Sequence, residues 1–213
     1  MLHGSVDAAI PTDLTVPPVR FFDAAASFFG SIARPFVLWV PSSAGSHLSG
    51  AVDRGLVRFG DRCPAMVASH PVTPSGGPGV RLATDDESLA TFGDVCERGY
   101  QQPGMARLMS HRQSYRAPDS FWHVAFADDL PISVACGFKT GDIGGIYSVA
   151  TPPEFRGRGF AAAATSAATN HLFDLGVEHV ILQASTLGYG VYERLGFVTY
   201  DHFERFAVPV PAA

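Results

Sequence analysis

Tyr147-Ser148-Val149-Ala150-Thr151-Pro152-Pro153-Glu154-Phe155-Arg156-Gly157-Arg158-Gly159-Phe160-Ala161 is the stretch on which the fold turns. A strand ends at Pro152-Pro153, and two glycines one residue apart then open an alanine-rich helix. Glycine turns where other residues cannot, so successive N–H groups can point into one concavity. That concavity sits on a helix N-terminus, whose dipole and unpaired donors attract an anion. Gly157 to Ala161 therefore read as a pyrophosphate cradle, and Ala161 to Ala164 put no bulk in front of it. The spacing Gly157-x-Gly159-x-x-Ala162 is also formally a dinucleotide fingerprint. That reading needs an acidic residue at the end of the next strand, about 20 residues on. The chain there reads Gln183-Ala184-Ser185, and too little follows for the second half of a doubly wound sheet. A glycine-rich helix start with no ligand is the plain alternative.

Working outward, Val80 to Thr84 alternates as a short strand. Asp85 and Asp86 then offer N-caps for a helix through about Arg98, closed by Gly99. A second helix is expected from Met105 to Tyr115. Phe121 to Phe126 and Ile132 to Phe138 read as strands joined by a turn at Asp128 to Pro131. Ile143 to Ala150 is the next strand, followed by a helix from near Gly159 to Leu175 that Gly176 stops. A strand at His179 to Ala184, a short helix around Val191 to Leu195, and an extended Phe197 to Val208 complete the chain. The order β-α-α-β-β-β-α-β-α-β implies an α/β (α+β) fold with a mixed, mostly antiparallel sheet flanked by helices.

Upstream, residues 70–79 (HPVTPSGGPG) are dense in Pro, Gly and Ser. They set the expected organisation: an N-terminal segment at 1–70, a linker at 71–78 and a main domain at 79–213. The N-terminal segment runs helix (Phe21 to Ile32), strand (Phe36 to Val40), helix (Ser46 to Arg54), a Gly55-Leu56-Val57 step and a strand at Pro64 to Val67. The same element order recurs at 160–208. The segment reads as a smaller α/β half-repeat or as an unrelated α/β cap.

Composition narrows the function classes. Hydrophobic residues at 46% with 16 Phe supply a packed core, and the absence of any run near 20 apolar residues argues against a membrane span. The start MLHGSVDAAIPTD lacks the basic and apolar regions of a signal peptide, and three widely spaced cysteines form no CxxC. A reducing cytoplasm is the expected compartment. The eight His form no HExxH, so no metal site is expected. A formal net charge of −5 gives no support to nucleic-acid binding and leans toward a cationic partner.

Arg156-x-x-Gly159-x-Ala161 resembles the acetyl-CoA loop of the GNAT superfamily of N-acetyltransferases, Q/R-x-x-G-x-G/A. Val191-Tyr192-Glu193-Arg194-Leu195-Gly196-Phe197 is similar to that superfamily's closing Y-x-x-x-G-F. The two lie in the expected order, one helix and one strand apart, and the match covers about Gly79 to Val208. Pro35 to Pro41, Gly55-Leu56 and Pro64 to Val67 are similar to a partial GNAT-like extension of some bacterial relatives.

The resemblance implies acetyl-CoA as acetyl donor and an amine of a small molecule or peptide as acceptor. The implied cofactor-binding residues are Val149, Ala150, Thr151, Arg156, Gly157, Arg158, Gly159, Phe160, Ala161, Ser185 and Gly188. In this scheme the backbone of Val149 and Thr151 pairs with the pantetheine arm, and the Val149 N–H polarises the thioester carbonyl. The N–H groups of Gly157 to Ala161 hold the pyrophosphate with Arg156 or Arg158 nearby. Tyr192 is the general acid for the departing thiolate, since a phenol's ordinary pKa of about 10 suits a thiol leaving group. Ser185 stands where many relatives carry Asn, a shorter side chain with one donor.

No acid lies on the strand Ile146 to Val149, so the base is left open, with water a candidate. Glu154 reads as a surface residue and His123 as a structural one. The resemblance puts the acceptor near Tyr100 to Arg116 and Tyr200 to Phe203, where Tyr100, Met105 and Tyr115, with Phe121 and Trp122, would give it an aromatic lining. A non-catalytic acyl-CoA-binding module is the competing class, motivated by the missing base. A homodimer is left open.

Overall fold

The computed structural model describes residues 8–11, 13–73, 79–109 and 118–208. The chain divides into two compact units: Met1–Ala65 with Thr199–Ala213, and Met66–Val198.

The first unit contains β1 (Ala8–Ala9), α1 (Pro18–Ser31), β2 (Phe36–Pro41), α2 (Gly45–Asp53), β3 (Val57–Arg58) and the start of β4 (Cys63–Ala68). Here β1 runs parallel to β2, and the C-terminal strand β10 (Val198–Val208) runs antiparallel to both β2 and β3. Phe22, Ala25 and Phe29 recur at helical spacing and give α1 one apolar face. That face packs on Phe36, Leu38 and Val40 of β2, Ala51 of α2 and Phe206 of β10. Glu204 is 1% exposed and held between Arg58 Nε and Arg62 Nε, each at 2.8 Å.

The second unit carries the site. Its further elements are β5 (Gly79–Ala83), α3 (Asp86–Tyr100), α4 (Met105–Met109), β6 (Ser120–Ala127), β7 (Leu130–Thr140), β8 (Ile143–Ala150), α5 (Phe160–Asp174), β9 (His179–Gln183) and α6 (Tyr189–Arg194). The strands lie in the order β9-β8-β7-β6-β5. All neighbours are antiparallel except β8 and β9, which α5 joins as a crossover. The α/β (α+β) reading with a mostly antiparallel sheet is therefore observed, and the elements expected from 79 to 208 appear in their expected order.

Helices cover both faces. Leu89, Phe92, Val95 and Cys96 of α3 pack on Trp122, Val124, Val134, Cys136 and Ala150. Ala164, Ala168 and Leu172 of α5 pack on Ala125, Ala135, Ile146, Val180 and Leu182 on the other side. Small residues let α5 sit close: a Cβ on Gly144 would lie 2.9 Å from Leu172 Cδ1. At the start of α3, Asp85 accepts from Ser88 N–H at 2.8 Å while Ser88 Oγ accepts from Asp85 N–H at 3.2 Å, a reciprocal cap.

Three expectations shift. Gly99 does not close α3; the helix runs to Tyr100 and ends on Gln101 in the left-handed conformation (φ 54°). The expected helix Met105 to Tyr115 is helical to Met109, and the remainder of it lies outside the described residues. The compact units part inside β4 and again at Val198/Thr199, whereas the punctuation had put a linker at 71–78. Val72 within that stretch is 5% exposed, donating to Asn170 Oδ1 at 2.8 Å and accepting from Asn170 Nδ2 at 2.9 Å. The side-chain amide of α5 thus imitates a strand partner for a segment that composition alone reads as loose.

Asn170→Ala removes both bonds and leaves two buried backbone groups unpaired. Urea unfolding should show a loss of about 2–4 kcal/mol, and an unchanged midpoint would mean that the clasp adds nothing.

Candidate active site

The site begins where β8 and β9 part. Their parallel pairing covers Ile143–His179, Gly144–Val180 and Gly145–Ile181, and β8 from Ile146 onward has no partner on β9. On its other edge β8 pairs Cys136 with Tyr147 and Val134 with Ala150, a three-residue step against two. Ser148 and Val149 are the bulge, with Ser148 at φ 52°. Ser133 pins the strand end beyond it. Its Oγ donates to Ala150 O at 3.1 Å and lies 2.7 Å from Thr151 Oγ1.

The C-terminal turn of α3 lies on this bulge. Tyr100 Oη donates to Val149 O at 3.2 Å, and Cys96 Sγ approaches Ser148 O at 3.9 Å. Burial pushes the Cys96 thiol up to about 12, so it stays an S–H donor. The Tyr100 phenol is likewise raised, by burial first and then by Cys96 and Tyr192, although 44% of the residue's surface is exposed. Gly99 explains how the helix comes so near. A Cβ there would stand 2.8 Å from Ala150 Cβ and 3.0 Å from Thr151 N.

After β8 the chain makes a single helical turn at Pro153–Phe155 and enters the loop. Gly157 (φ 74°) and Gly159 (φ 83°) both occupy the left-handed region, and a Cβ at either would meet nothing within 4 Å. The space beside both is open. Gly159 is the N-cap of α5, with no side-chain cap and no acidic residue in the first turn. The helix's first N–H groups thus keep their attraction for an anion. Arg158 lies over Phe155 and Phe160, 5.9 and 5.1 Å from the ring centroids. Arg156 is spent differently. Its Nε donates to Thr151 O at 3.0 Å and its Nη2 to Gly99 O at 2.7 Å, stapling the loop to both β8 and α3.

Across the gap, Ser185 O accepts from Gly188 and Tyr189 N–H, and Ser185 Oγ also accepts from Gly188 N–H at 3.1 Å. Ser185 thereby starts the helix that carries Tyr192. Tyr192 is 7% exposed, edge-on to Phe197, and its ring fills the space a Gly188 side chain would need, at 2.8 Å. Burial pushes its phenol up to about 12, which keeps it protonated well above neutral pH.

All eleven expected cofactor positions thus fall on the end of β8, the loop and the start of α6, with Tyr192 on α6. The acceptor-lining expectations divide. Tyr100 is at the bulge, but Trp122 lies edge-to-face with Phe92 in the core under α3, and Phe121 packs against His171. Tyr115 lies outside the described residues. Glu154 is exposed and paired with Arg98 at 3.0 Å; its own backbone N–H and then Arg98 hold its carboxyl below the ordinary value. His123 Nε2 is 3.1 Å from His171 Nδ1, and burial, with His171 next, lowers its pKa to about 4. Each is taken up by a partner, Arg98 for Glu154 and His171 for His123. Cys96 and Ser133 had no signal in the sequence, because their partners, the Ser148 and Ala150 carbonyls and the Thr151 hydroxyl, are distant in the chain. Among the described residues no group of three His, Cys, Asp or Glu could hold a metal, and no helix is long and apolar enough to cross a membrane.

Residues 86–197 match the acetyltransferase (GNAT) family, and the chain belongs to that family. No curated protein matches it. Among solved structures it is similar to a GCN5-related N-acetyltransferase from Kribbella flavida, with a TM-score of 0.74 and 16% identity over 94% of this chain and 77% of that one. It also resembles a GCN5-related N-acetyltransferase from Sphaerobacter thermophilus, with a TM-score of 0.65 and 17% identity over 92% and 68% of the two chains. A tandem GNAT protein from the clavulanic acid biosynthesis pathway gives 0.66 and 15% over 92% and 70%. At these identities the likeness concerns the fold.

Gly99→Ala should push α3 off β8 and cost about 1–3 kcal/mol in thermal unfolding. Gly30→Ala, where a Cβ meets nothing within 4 Å, should be neutral or stabilising. Equal melting temperatures for the Gly99 variant and the wild type would contradict the close approach.

Proposed function

We propose that the chain is an acetyl-CoA-dependent N-acetyltransferase, acting on a primary amine of a small molecule or peptide in a ternary complex. The observation that carries this reading is the open glycine cradle on the uncapped start of α5, beside the parted end of β8 and within the same unit as Tyr192. The donor substrate supplies a thioester already activated toward a nucleophile, and the protein's residues hold it and manage charge. N–H groups from Gly157 to Ala161 take the pyrophosphate, with Arg158 at the rim. Arg156 acts through the loop's shape. The free edge of β8 from Val149 to Thr151 lies along the pantetheine arm, and the Val149 N–H donates to the thioester oxygen as charge develops there. The amine must be neutral to attack. Its proton passes to water, and Tyr192 gives its own proton to the sulfur of departing CoA.

Burial keeps the Tyr192 phenol protonated and so holds its proton in place, while making it a weaker acid than the ordinary phenol that matches a thiol. The acid form then persists well above the ordinary value of 10.0, so kcat/KM, which reports the free enzyme's groups, should show no alkaline fall from this group near pH 10.

Thermal-shift measurements with acetyl-CoA and with NAD separate this reading from a nicotinamide enzyme; only acetyl-CoA should raise the melting temperature. Mixing protein, acetyl-CoA and a broad amine panel should release CoA thiol. Tyr192→Phe should lower kcat roughly ten- to a thousandfold with coenzyme affinity nearly intact. Binding without transfer to any amine would favour a non-catalytic acyl-CoA-binding module, and an equal loss of affinity and rate in the Phe variant would remove the acid role.

A further inference from the structure

Cys96, Gly99 and Tyr100 lie at i, i+3 and i+4, on one face of the last turn of α3. Each meets a successive part of the bulge. Cys96 Sγ is at Ser148 O (3.9 Å), Tyr100 Oη is at Val149 O (3.2 Å), and Gly99 packs on Ala150 and Thr151. Neither Ser148 nor Val149 has a register partner on β7 or β9. Ser148 at φ 52° holds a conformation that an L residue keeps only where its surroundings impose it.

The direction of the Val149 N–H follows from these contacts. The peptide joining Ser148 to Val149 carries the Ser148 carbonyl on one edge and the Val149 N–H on the other, and it is planar. Holding that carbonyl therefore aims the N–H. The Tyr100 bond holds the next plane, so the two dihedrals of Val149 are bracketed from both sides. Without such bonds a bulge with no ladder partner is free to rock, and a donor that rocks is worth less to a developing oxyanion than a fixed one.

We propose that Tyr100 and Cys96 are positioning residues for acetyl transfer: from the end of α3 they fix the two peptides flanking Val149 and so aim its N–H at the thioester carbonyl. The inference rests on the acetyl-CoA reading above. Both residues act through the backbone of β8, and neither touches the reacting atoms.

Acetyl-CoA labelled with ¹³C at the acetyl carbonyl reports the aim directly, because a hydrogen bond to that oxygen lowers its infrared stretching frequency. Bound to the wild type, the carbonyl band should lie below that of free acetyl-CoA. Tyr100→Phe keeps the ring and removes the hydroxyl. It should return the band much of the way to its free position and lower kcat for the best amine of the panel about tenfold, with Kd for acetyl-CoA within about twofold. Cys96→Ala should weaken the band shift and Cys96→Ser should restore it, a pair that carries the test if the Phe variant fails to fold. An unchanged band and unchanged kcat in Tyr100→Phe would overturn the proposal. So would a rise in Kd or KM with kcat preserved, which would make Tyr100 a binding residue. Failure of the wild type itself to bind acetyl-CoA is read before any variant is made, and it would remove the site reading and this inference with it.

Discussion

The parting of β8 from β9 is the constraint to which the rest of the second unit answers. Parallel pairing ends at Gly145–Ile181, and the remaining backbone of β8 then lacks a ladder on that side. Buried backbone groups left unpaired cost about 1–3 kcal/mol each, so an open strand end survives only with other partners. On one side Ser133 bonds to Ala150 O and Tyr100 to Val149 O. On the other, Ser185 turns the chain away from the sheet and starts α6. The gap is therefore held open by bonds on both of its sides.

Local strain is concentrated at the same place. Ser148 sits in the left-handed region without the freedom of glycine, at a cost of about 1–3 kcal/mol that the contacts around the bulge must offset. The glycines nearby serve two different ends. Gly157 and Gly159 are required by positive φ in open space, whereas Gly99 is required by contact, since its missing side chain lets α3 reach the strand. Arg156 ties the two regions together by bonding to Thr151 O and Gly99 O. Arg156, one of the two cations that the family resemblance had offered for the phosphates, thus bonds to carbonyls that shape the loop.

Much of the fold was legible because its signals are local. Asp85 and Asp86 announced the start of α3, the turn at Asp128 to Pro131 separated two of the central strands, and Gly157-x-Gly159 before an alanine run marked α5. The loop and Tyr192 were legible for the same reason, as short stretches of fixed spacing. What escaped was set by contacts distant in sequence. Gly99 looks like a helix stop until Ala150 is placed against it. Val72 looks like linker until Asn170 is brought to it, and Trp122 looks available until Phe92 meets its ring edge-to-face. The bulge at Ser148 left no mark at all, because neither the residue type nor its neighbours call for a positive φ.

Everything proposed for this site depends on the N–H groups after Arg156 converging on a diphosphate at the start of α5. A crystal structure of the protein with coenzyme A tests that directly. The account predicts pyrophosphate oxygens at about 3 Å from the backbone nitrogens between Gly157 and Ala161, with the pantetheine arm passing between the separated strand ends. A nucleotide lodged elsewhere, or a cradle closed by side chains with the coenzyme bound, would contradict it.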